Sequence, residues 1–106
     1  MNGYLSFVLH GHLPYVRHPE YAEFLEEDWL YEAISETYVP LLEMFERLSN
    51  DKIPWNLTIT MSGTLVNMLN DDMLRGRYIH HLDKLIDLCE KEIERLKEYP
   101  DMLKVA

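Results

Sequence analysis

The sequence predicts an α/β fold in which two parallel strands alternate with helices. An almost unbroken apolar run, Tyr4–Leu9, has the length of a strand and the composition of one that is covered on both faces. A second run of strand length, Trp55–Met61, alternates apolar with polar residues. Apolar residues after each strand recur every three or four positions, as they do in amphipathic helices. Strands and helices in alternation predict a parallel sheet.

The first strand leads into two histidines that flank a glycine. Side chains two positions apart on an extended chain point the same way, so His10 and His12 can face one pocket. Gly11 lets another group approach the backbone closely, and Pro14 ends the strand. Because ligands of parallel α/β proteins bind at the carboxyl ends of strands, this corner is the predicted functional site.

The first helix is expected to begin at Glu26-Glu27-Asp28, because acidic residues favour the positive end of the helix dipole. Pro40 should break or kink this helix near Val39, and Ser49-Asn50-Asp51 should end it. Its predicted apolar stripe consists of Leu30, Ile34, Tyr38, Leu41, Leu42, Phe45 and Leu48.

Two helices are predicted after the second strand. Ser62-Gly63-Thr64 should turn the chain into a short helix that ends at Asn70. Asn70-Asp71-Asp72 is a helix-start signal for a long helix to about Glu98. Tyr99-Pro100-Asp101 should then interrupt the helical pattern.

Composition excludes several classes of partner. The net charge of −9, with 19 acidic against 10 basic residues, repels phosphate backbones and anionic lipids, so neither nucleic acid nor a membrane is an expected partner. No apolar run approaches the roughly 20 residues of a membrane-spanning helix. Met1-Asn2-Gly3 leads directly into the first strand without a secretory signal, and Cys89 is the one cysteine. A cytoplasmic location is therefore expected.

The residues alone leave three interpretations of His10 and His12. They can be structural and bond to nearby backbone, or they can bind Zn²⁺ as neutral imidazoles. A zinc site needs a further ligand, and neither His18 nor Asp28 has convincing spacing. They can also bind a sugar, because imidazole both donates and accepts hydrogen bonds.

Several segments in the same order resemble glycoside hydrolase family 57, in the form found in its α-glucan branching enzymes and amylase-like members. The similar segments are His10-Gly11-His12-Leu13-Pro14-Tyr15, Glu27-Asp28-Trp29-Leu30-Tyr31-Glu32-Ala33, Glu36-Thr37-Tyr38-Val39-Pro40-Leu41 and Leu57-Thr58-Ile59-Thr60, then a helix with Arg75 and Tyr78. The resemblance extends from Tyr4 to about Leu96. Ser62-Gly63 departs from the Thr-Pro that the family often has at that turn.

This resemblance implies the N-terminal portion of a seven-stranded, TIM-like (β/α) barrel. A complete barrel needs about 250 residues, whereas this sequence supplies two strands and their helices. Residues 1–106 are therefore expected to be the N-terminal part of a catalytic barrel domain that is cut short, and the apolar segment Met102-Leu103-Lys104-Val105-Ala106 fits a cut through an element. The remainder of the same polypeptide would be a necessary partner.

The resemblance also implies an activity, which is retaining cleavage and transfer of α-1,4-glucan chains. The specific activity expected is that of a 1,4-α-glucan branching enzyme. His10-Gly11-His12-Leu13-Pro14 favours branching, since other members more often carry glutamine before the proline. An α-amylase-type hydrolase of the same family is the alternative. The catalytic glutamate and aspartate would follow later strands, beyond Ala106, so this segment alone is expected to be inactive. No cofactor or metal is expected.

The resemblance favours sugar binding by His10 and His12, which would line the subsite where the glycosidic bond is cleaved. Trp29, at the start of the first helix, is equally consistent with core packing and with stacking on a glucose ring. Tyr15 is a candidate for the edge of the cleft, and Trp55 is expected in the core.

No acidic residue of this chain is assigned as catalytic. Retaining glycosidases hold two carboxyl groups about 5–5.5 Å apart, usually from different strand ends. The acidic residues here cluster instead around the first helix, where Glu32 and Glu36 are one turn apart, as on a solvated face.

Two other classes of function stay open. The first is a metal-dependent carbohydrate deacetylase or hydrolase on a similar barrel, with His10 and His12 as ligands. The second is a non-enzymatic module whose long helix pairs with a partner.

Overall fold

The computed structural model describes residues 2–99 and 101 and has the predicted α/β order. Its elements are β1 (Val8–Gly11), α1 (Glu27–Ala33), a π-helical turn (Ile34–Tyr38), α2 (Val39–Asn50), β2 (Thr58–Met61), α3 (Gly63–Leu69) and α4 (Asp72–Leu96). The described residues form two compact units that divide between Leu74 and Arg75. The predicted apolar end at residues 102–106 and Pro100 of the predicted helix stop lie outside the described residues.

The two strands are parallel neighbours, as predicted. Val8 pairs with Thr58 and His10 pairs with Thr60, so residues of like position face each other along the ladder. Both strands are shorter than predicted, because β1 begins at Val8 and β2 at Thr58. β1 also extends through His10 to Gly11, so the first histidine lies within the ladder and not beyond it.

The prediction that β1 is covered on both faces is wrong for this chain. Leu5, Phe7, Val8 and Leu9 are all exposed. The physical reason is that the sheet of the described residues has two strands, which leaves most of its apolar surface without a neighbour.

Gly11 establishes which face of the sheet meets a helix. A Cβ placed on Gly11 would lie 3.1 Å from Cδ2 of Leu65 in α3. Because successive residues of a strand point to opposite faces, His10 and Thr60 point away from α3. The predicted close approach at Gly11 is therefore made by a packed helix side chain.

Pro40 changes the helical register without breaking the helix. The π turn separates α1 from α2, and Val39 N–H donates to the Ile34 carbonyl five residues earlier. Proline has no N–H, and its ring collides with the carbonyl four residues before it in a regular α-helix. A π turn places one additional residue in the turn and gives the ring that space. The predicted end at Asn50 is confirmed.

The next two helices begin with side-chain caps. Ser62 Oγ accepts a hydrogen bond from Leu65 N–H at 3.3 Å, at the start of α3. Asp71 Oδ1 accepts one from Leu74 N–H at 2.9 Å, at the start of α4. Both caps satisfy backbone donors that a helix N-terminus leaves free, and they confirm the two start signals.

The buried apolar residues of the first unit lie mostly on α1 and α3. These residues are Val16, Leu30, Tyr31, Leu65, Met68 and Leu74. In the predicted stripe of α1 and α2, Leu42 is an exception because it is exposed. Trp55 was expected in the core but is 39% exposed; its ring stacks on Phe45 with centroids 4.7 Å apart.

The second unit consists of most of α4. Favourably spaced ion pairs join Asp87 to Lys91 and Glu92 to Arg95 along the helix, and Cys89 is exposed. Across residues 2–99 and 101, no helix has both the length and the apolar character needed to cross a membrane.

Candidate functional site

The site begins with the two histidines at the end of β1. Their ring centroids are 6.1 Å apart and their planes differ by 9°, so the imidazoles lie side by side and nearly parallel. Both residues are exposed. This arrangement follows from their spacing, because residues i and i+2 of an extended chain project from the same face.

The first imidazole is bonded to the neighbouring strand. His10 Nδ1 lies 2.6 Å from Thr60 Oγ1, and this bond joins two residues that are directly paired in the sheet. Thr60 Oγ1 also lies 3.5 Å from the Leu9 carbonyl oxygen. The Nε2 atom of His10 is therefore the ring nitrogen left to meet a ligand.

The loop that follows the histidines is fixed to α3. Thr64 Oγ1 donates to the Leu13 carbonyl oxygen at 3.1 Å. The buried N–H of Val16 donates to Met68 Sδ at 3.4 Å. Because both ends of the segment after His12 are bonded, the loop beside the imidazoles has a defined course.

An ion pair fixes the far end of this loop. Arg17 Nε donates to Asp71 Oδ2 at 2.8 Å, while the other oxygen of Asp71 caps α4. The backbone N–H of Leu74, followed by the Arg17 guanidinium, holds the pKa of the Asp71 carboxyl below its usual value. One carboxylate thus connects the loop to the helix start, and it stays ionised at neutral pH.

Tyr15 lies in the wall of a polar cavity of about 360 Å³, and its side chain is 57% exposed. The cavity is lined by Tyr15, Arg17, Asn67, Met68, Asn70 and Asp71. Neither His10 nor His12 is among these residues, so the structure places Tyr15 beside a cavity separate from the imidazole pair.

Trp29 lies in the first turn of α1 and is 50% exposed. Half of its surface is therefore accessible in the part of the chain that the structure describes, and both interpretations of Trp29 stay predictions. Two residues earlier in α1, Glu27 is buried, with 1% of its surface exposed. Its Oε2 accepts a hydrogen bond from the Tyr31 hydroxyl at 2.9 Å. That bond gives the buried carboxylate a structural role within α1.

A second cluster of polar side chains surrounds His18. Its Nδ1 lies 3.1 Å from a Glu20 oxygen and its Nε2 lies 3.2 Å from a Glu26 oxygen. The hydrogen bond with Glu20 is the main cause that raises the pKa of the His18 imidazole, and the bond with Glu26 adds to it. Phe24 packs on the ring with centroids 3.8 Å apart.

The arrangement suits hydrogen bonding to a polar ligand. In the part of the chain that the structure describes, no three His, Cys, Asp or Glu side chains are grouped so that they could hold a metal ion. His18 is bonded to two glutamates, and Glu32 and Glu36 are exposed as predicted.

Three features of the site were missed at the level of sequence. Thr60 is one of the polar residues that alternate with apolar residues along the second strand, and that alternation is the available signal for its role. The burial of Glu27 had a signal in its i,i+4 spacing to Tyr31. Arg17 had none, because its partner Asp71 is 54 residues away.

Comparison with known proteins gives a consistent result over almost the whole chain. The sequence profile of Glycosyl hydrolase family 57 matches residues 6–106. The chain is 38% identical over 94 residues to a 1,4-alpha-glucan branching enzyme from Thermococcus kodakarensis, which is 89% of this chain and 14% of that enzyme. It is 32% identical over 79 residues to a probable 1,4-alpha-glucan branching enzyme from Mycobacterium tuberculosis, which is 74% of this chain and 15% of that protein.

A solved structure gives the same relationship in three dimensions. The crystal structure of the alpha-amylase AmyC from Thermotoga maritima superimposes with a TM-score of 0.82 at 48% sequence identity, covering 92% of this chain and 18% of that protein. The chain thus spans about a seventh of the length of the curated relatives that it matches.

Proposed function

Since this chain belongs to glycosyl hydrolase family 57, we propose that the full protein is a retaining enzyme that acts on α-1,4-glucan. The specific activity that we propose is that of a 1,4-α-glucan branching enzyme. Residues 1–106 would form the N-terminal part of its catalytic barrel domain. The observation that carries this proposal is the 38% identity to a branching enzyme over 89% of this chain. The remainder of the polypeptide would supply the rest of the barrel.

In this proposal His10 and His12 bind hydroxyl groups of one glucosyl residue beside the bond that is cleaved. Their rings are nearly parallel, with centroids 6.1 Å apart, so one sugar ring could reach both. A neutral imidazole offers one donor and one acceptor, which suits hydroxyl groups because each hydroxyl both donates and accepts. The pair would bind and orient the sugar, and it would transfer no proton.

The aromatic residues Tyr15 and Trp29 would contact other glucosyl rings of the same chain, Tyr15 at the edge of the cleft. Each is about half exposed, so each has a ring face available for stacking. Aromatic faces match the apolar C–H faces of a sugar, and the hydroxyl or indole N–H adds a polar group at the edge.

The carboxylates that break the bond would come from strands outside residues 1–106. Retaining cleavage needs a nucleophile and an acid/base about 5–5.5 Å apart. Within the described residues, the buried Glu27 is bonded to Tyr31 in α1, and Glu32 and Glu36 lie exposed on helices. The contribution of this segment would therefore be substrate binding.

An α-amylase-type hydrolase is the second candidate. The 48% identity to the alpha-amylase AmyC is the specific observation that favours it. The two activities share the cleavage step and differ in the acceptor, which is a sugar 6-hydroxyl in branching and water in hydrolysis. Linkage analysis of the products from amylose distinguishes them, because only branching creates α-1,6 bonds.

The proposal is tested with H10A and H12A substitutions in the full-length enzyme. Each should lower kcat/KM on amylose by about tenfold or more, because each removes a hydrogen bond to the bound sugar. H80A is the matched control, since His80 is exposed on α4. Wild-type turnover by both H10A and H12A would contradict the proposed role. Stoichiometric zinc with activity lost to a chelator would favour the metal-dependent alternative.

A further inference from the structure

We propose that Thr60 is a positioning residue for His10 that engages Nδ1 of the imidazole and leaves Nε2 for a hydrogen bond with a sugar hydroxyl. This inference rests on the proposed glucan function and assigns a role to a residue on the neighbouring strand. It also specifies which ring nitrogen of His10, Nε2, meets the sugar hydroxyl.

The position of Thr60 follows from the register of the sheet. Thr60 pairs directly with His10 across the parallel ladder, and the Nδ1–Oγ1 distance is 2.6 Å. The face that carries them points away from α3, because the missing side chain of Gly11 is directed at Leu65. The bond therefore lies on the sheet face without the helix α3.

The bond with Thr60 engages one of the two ring nitrogens of His10. The 2.6 Å distance between Nδ1 and Thr60 Oγ1 is that of a short hydrogen bond, in which either atom can be the donor. The contact of Thr60 Oγ1 with the Leu9 carbonyl oxygen is much longer, at 3.5 Å. With Nδ1 engaged, Nε2 is the ring nitrogen that can form a hydrogen bond with a substrate hydroxyl, since a hydroxyl both donates and accepts.

The side chains of the two histidines consequently differ in how firmly they are held. His10 is held by Thr60, whereas among the described residues the ring of His12 shows no hydrogen bond to another side chain. Threonine suits the holding role because its β-branched side chain has restricted χ1 rotation, which keeps the hydroxyl oxygen in place. His10 would select the orientation of the sugar and His12 would adapt to it.

The experiment uses the full-length enzyme with T60V, T60S and T58V substitutions. Valine has the shape of threonine without the hydroxyl, and serine retains the hydroxyl without the branch. Thr58 is the matched control: it is on the same strand and the same face, and it pairs with Val8, which has no polar group to hold. A T60V/H10A double variant measures the coupling between the two residues.

We expect T60V to lower kcat/KM on amylose by about tenfold, the loss of one hydrogen bond, mainly through kcat because the sugar is held in the wrong orientation. T60S should stay within about threefold of wild type, and T58V should be unchanged. In the H10A background T60V should have no further effect, which a merely structural role would not produce.

Two results would overturn the inference. One is a T60V enzyme indistinguishable from T58V, and the other is an equal loss from T60V with and without His10. Failure of the proposed function has a separate signature: a wild-type protein with no turnover of α-glucan, or an H10A enzyme as active as wild type.

Discussion

In the proposed site, His10 and Thr60 on one face of the sheet and His12 just after β1 would form the part that orients the sugar. The two histidines were predictable because i and i+2 residues of a strand project together whatever the partner strand does. The bond from Thr60 was not predictable, because it depends on which residue of β2 lies opposite His10. A shift of one position in that register would turn Thr60 to the other face.

His18 provides a prediction of pH dependence at the residue scale. Hydrogen bonds with Glu20, and secondarily with Glu26, raise its pKa above 6.5 in the folded protein. A raised pKa means that folding favours the protonated imidazole, so this stabilisation is complete below pH 6.5 and is lost as the pH rises through the folded value. The H18Q variant should lack that loss.

The measurement is the thermal unfolding midpoint of wild type and H18Q on both sides of pH 6.5. When the pH is raised from acid to alkaline values, the temperature of the unfolding midpoint should fall more for the wild type than for H18Q. The comparison between the two proteins isolates His18 from other titrating groups. Parallel pH curves for the two proteins would show that the Glu20 and Glu26 contacts do not stabilise the fold.

At the scale of the elements, helix starts were predictable and strand lengths were not. Ser62 and Asp71 act on backbone groups only three residues away, so the local sequence contains the whole interaction. Strand length depends on how many residues find a partner, and residues 4–7 lie before the four-residue ladder. Pro40 was identified as a disruption, but the π turn that accommodates it was not foreseen.

Gly11 gives the prediction at this scale. An added Cβ would lie 3.1 Å from Leu65 Cδ2, so the branched side chain of G11V must push the buried Leu65 side chain out of its place. We expect a loss of about 1–3 kcal/mol, as for other overpacked sites, and a lower unfolding midpoint.

G76A is the control for this substitution. At Gly76, in α4, an added Cβ meets no atom of the described residues within 4 Å. Alanine there should raise stability by about 0.5–1 kcal/mol through helix propensity. If G11V and G76A shift the midpoint equally, then the close packing of β1 on α3 is not a feature of the folded protein.

At the scale of the whole molecule, the chain corresponds to a small part of each relative, 14% of the branching enzyme and 18% of the amylase. The parallel pair of strands and the apolar residues exposed along β1 fit a sheet that continues in further polypeptide. The order of the elements could be predicted from the periodicity of apolar residues. The exposure of the sheet could not, because burial depends on contacts between residues that are distant in sequence. In the proposed enzyme, residues 1–106 would bind the sugar, and the remainder of the polypeptide would supply the catalytic carboxylates.

The most direct test is a crystal structure of the full-length enzyme with a maltooligosaccharide bound, after its nucleophile has been substituted. The account predicts one glucosyl residue with hydroxyl groups within about 3 Å of His10 Nε2 and of a ring nitrogen of His12, with the Thr60 bond intact. A glucan bound elsewhere, with both imidazoles facing solvent or holding a metal ion, would contradict it.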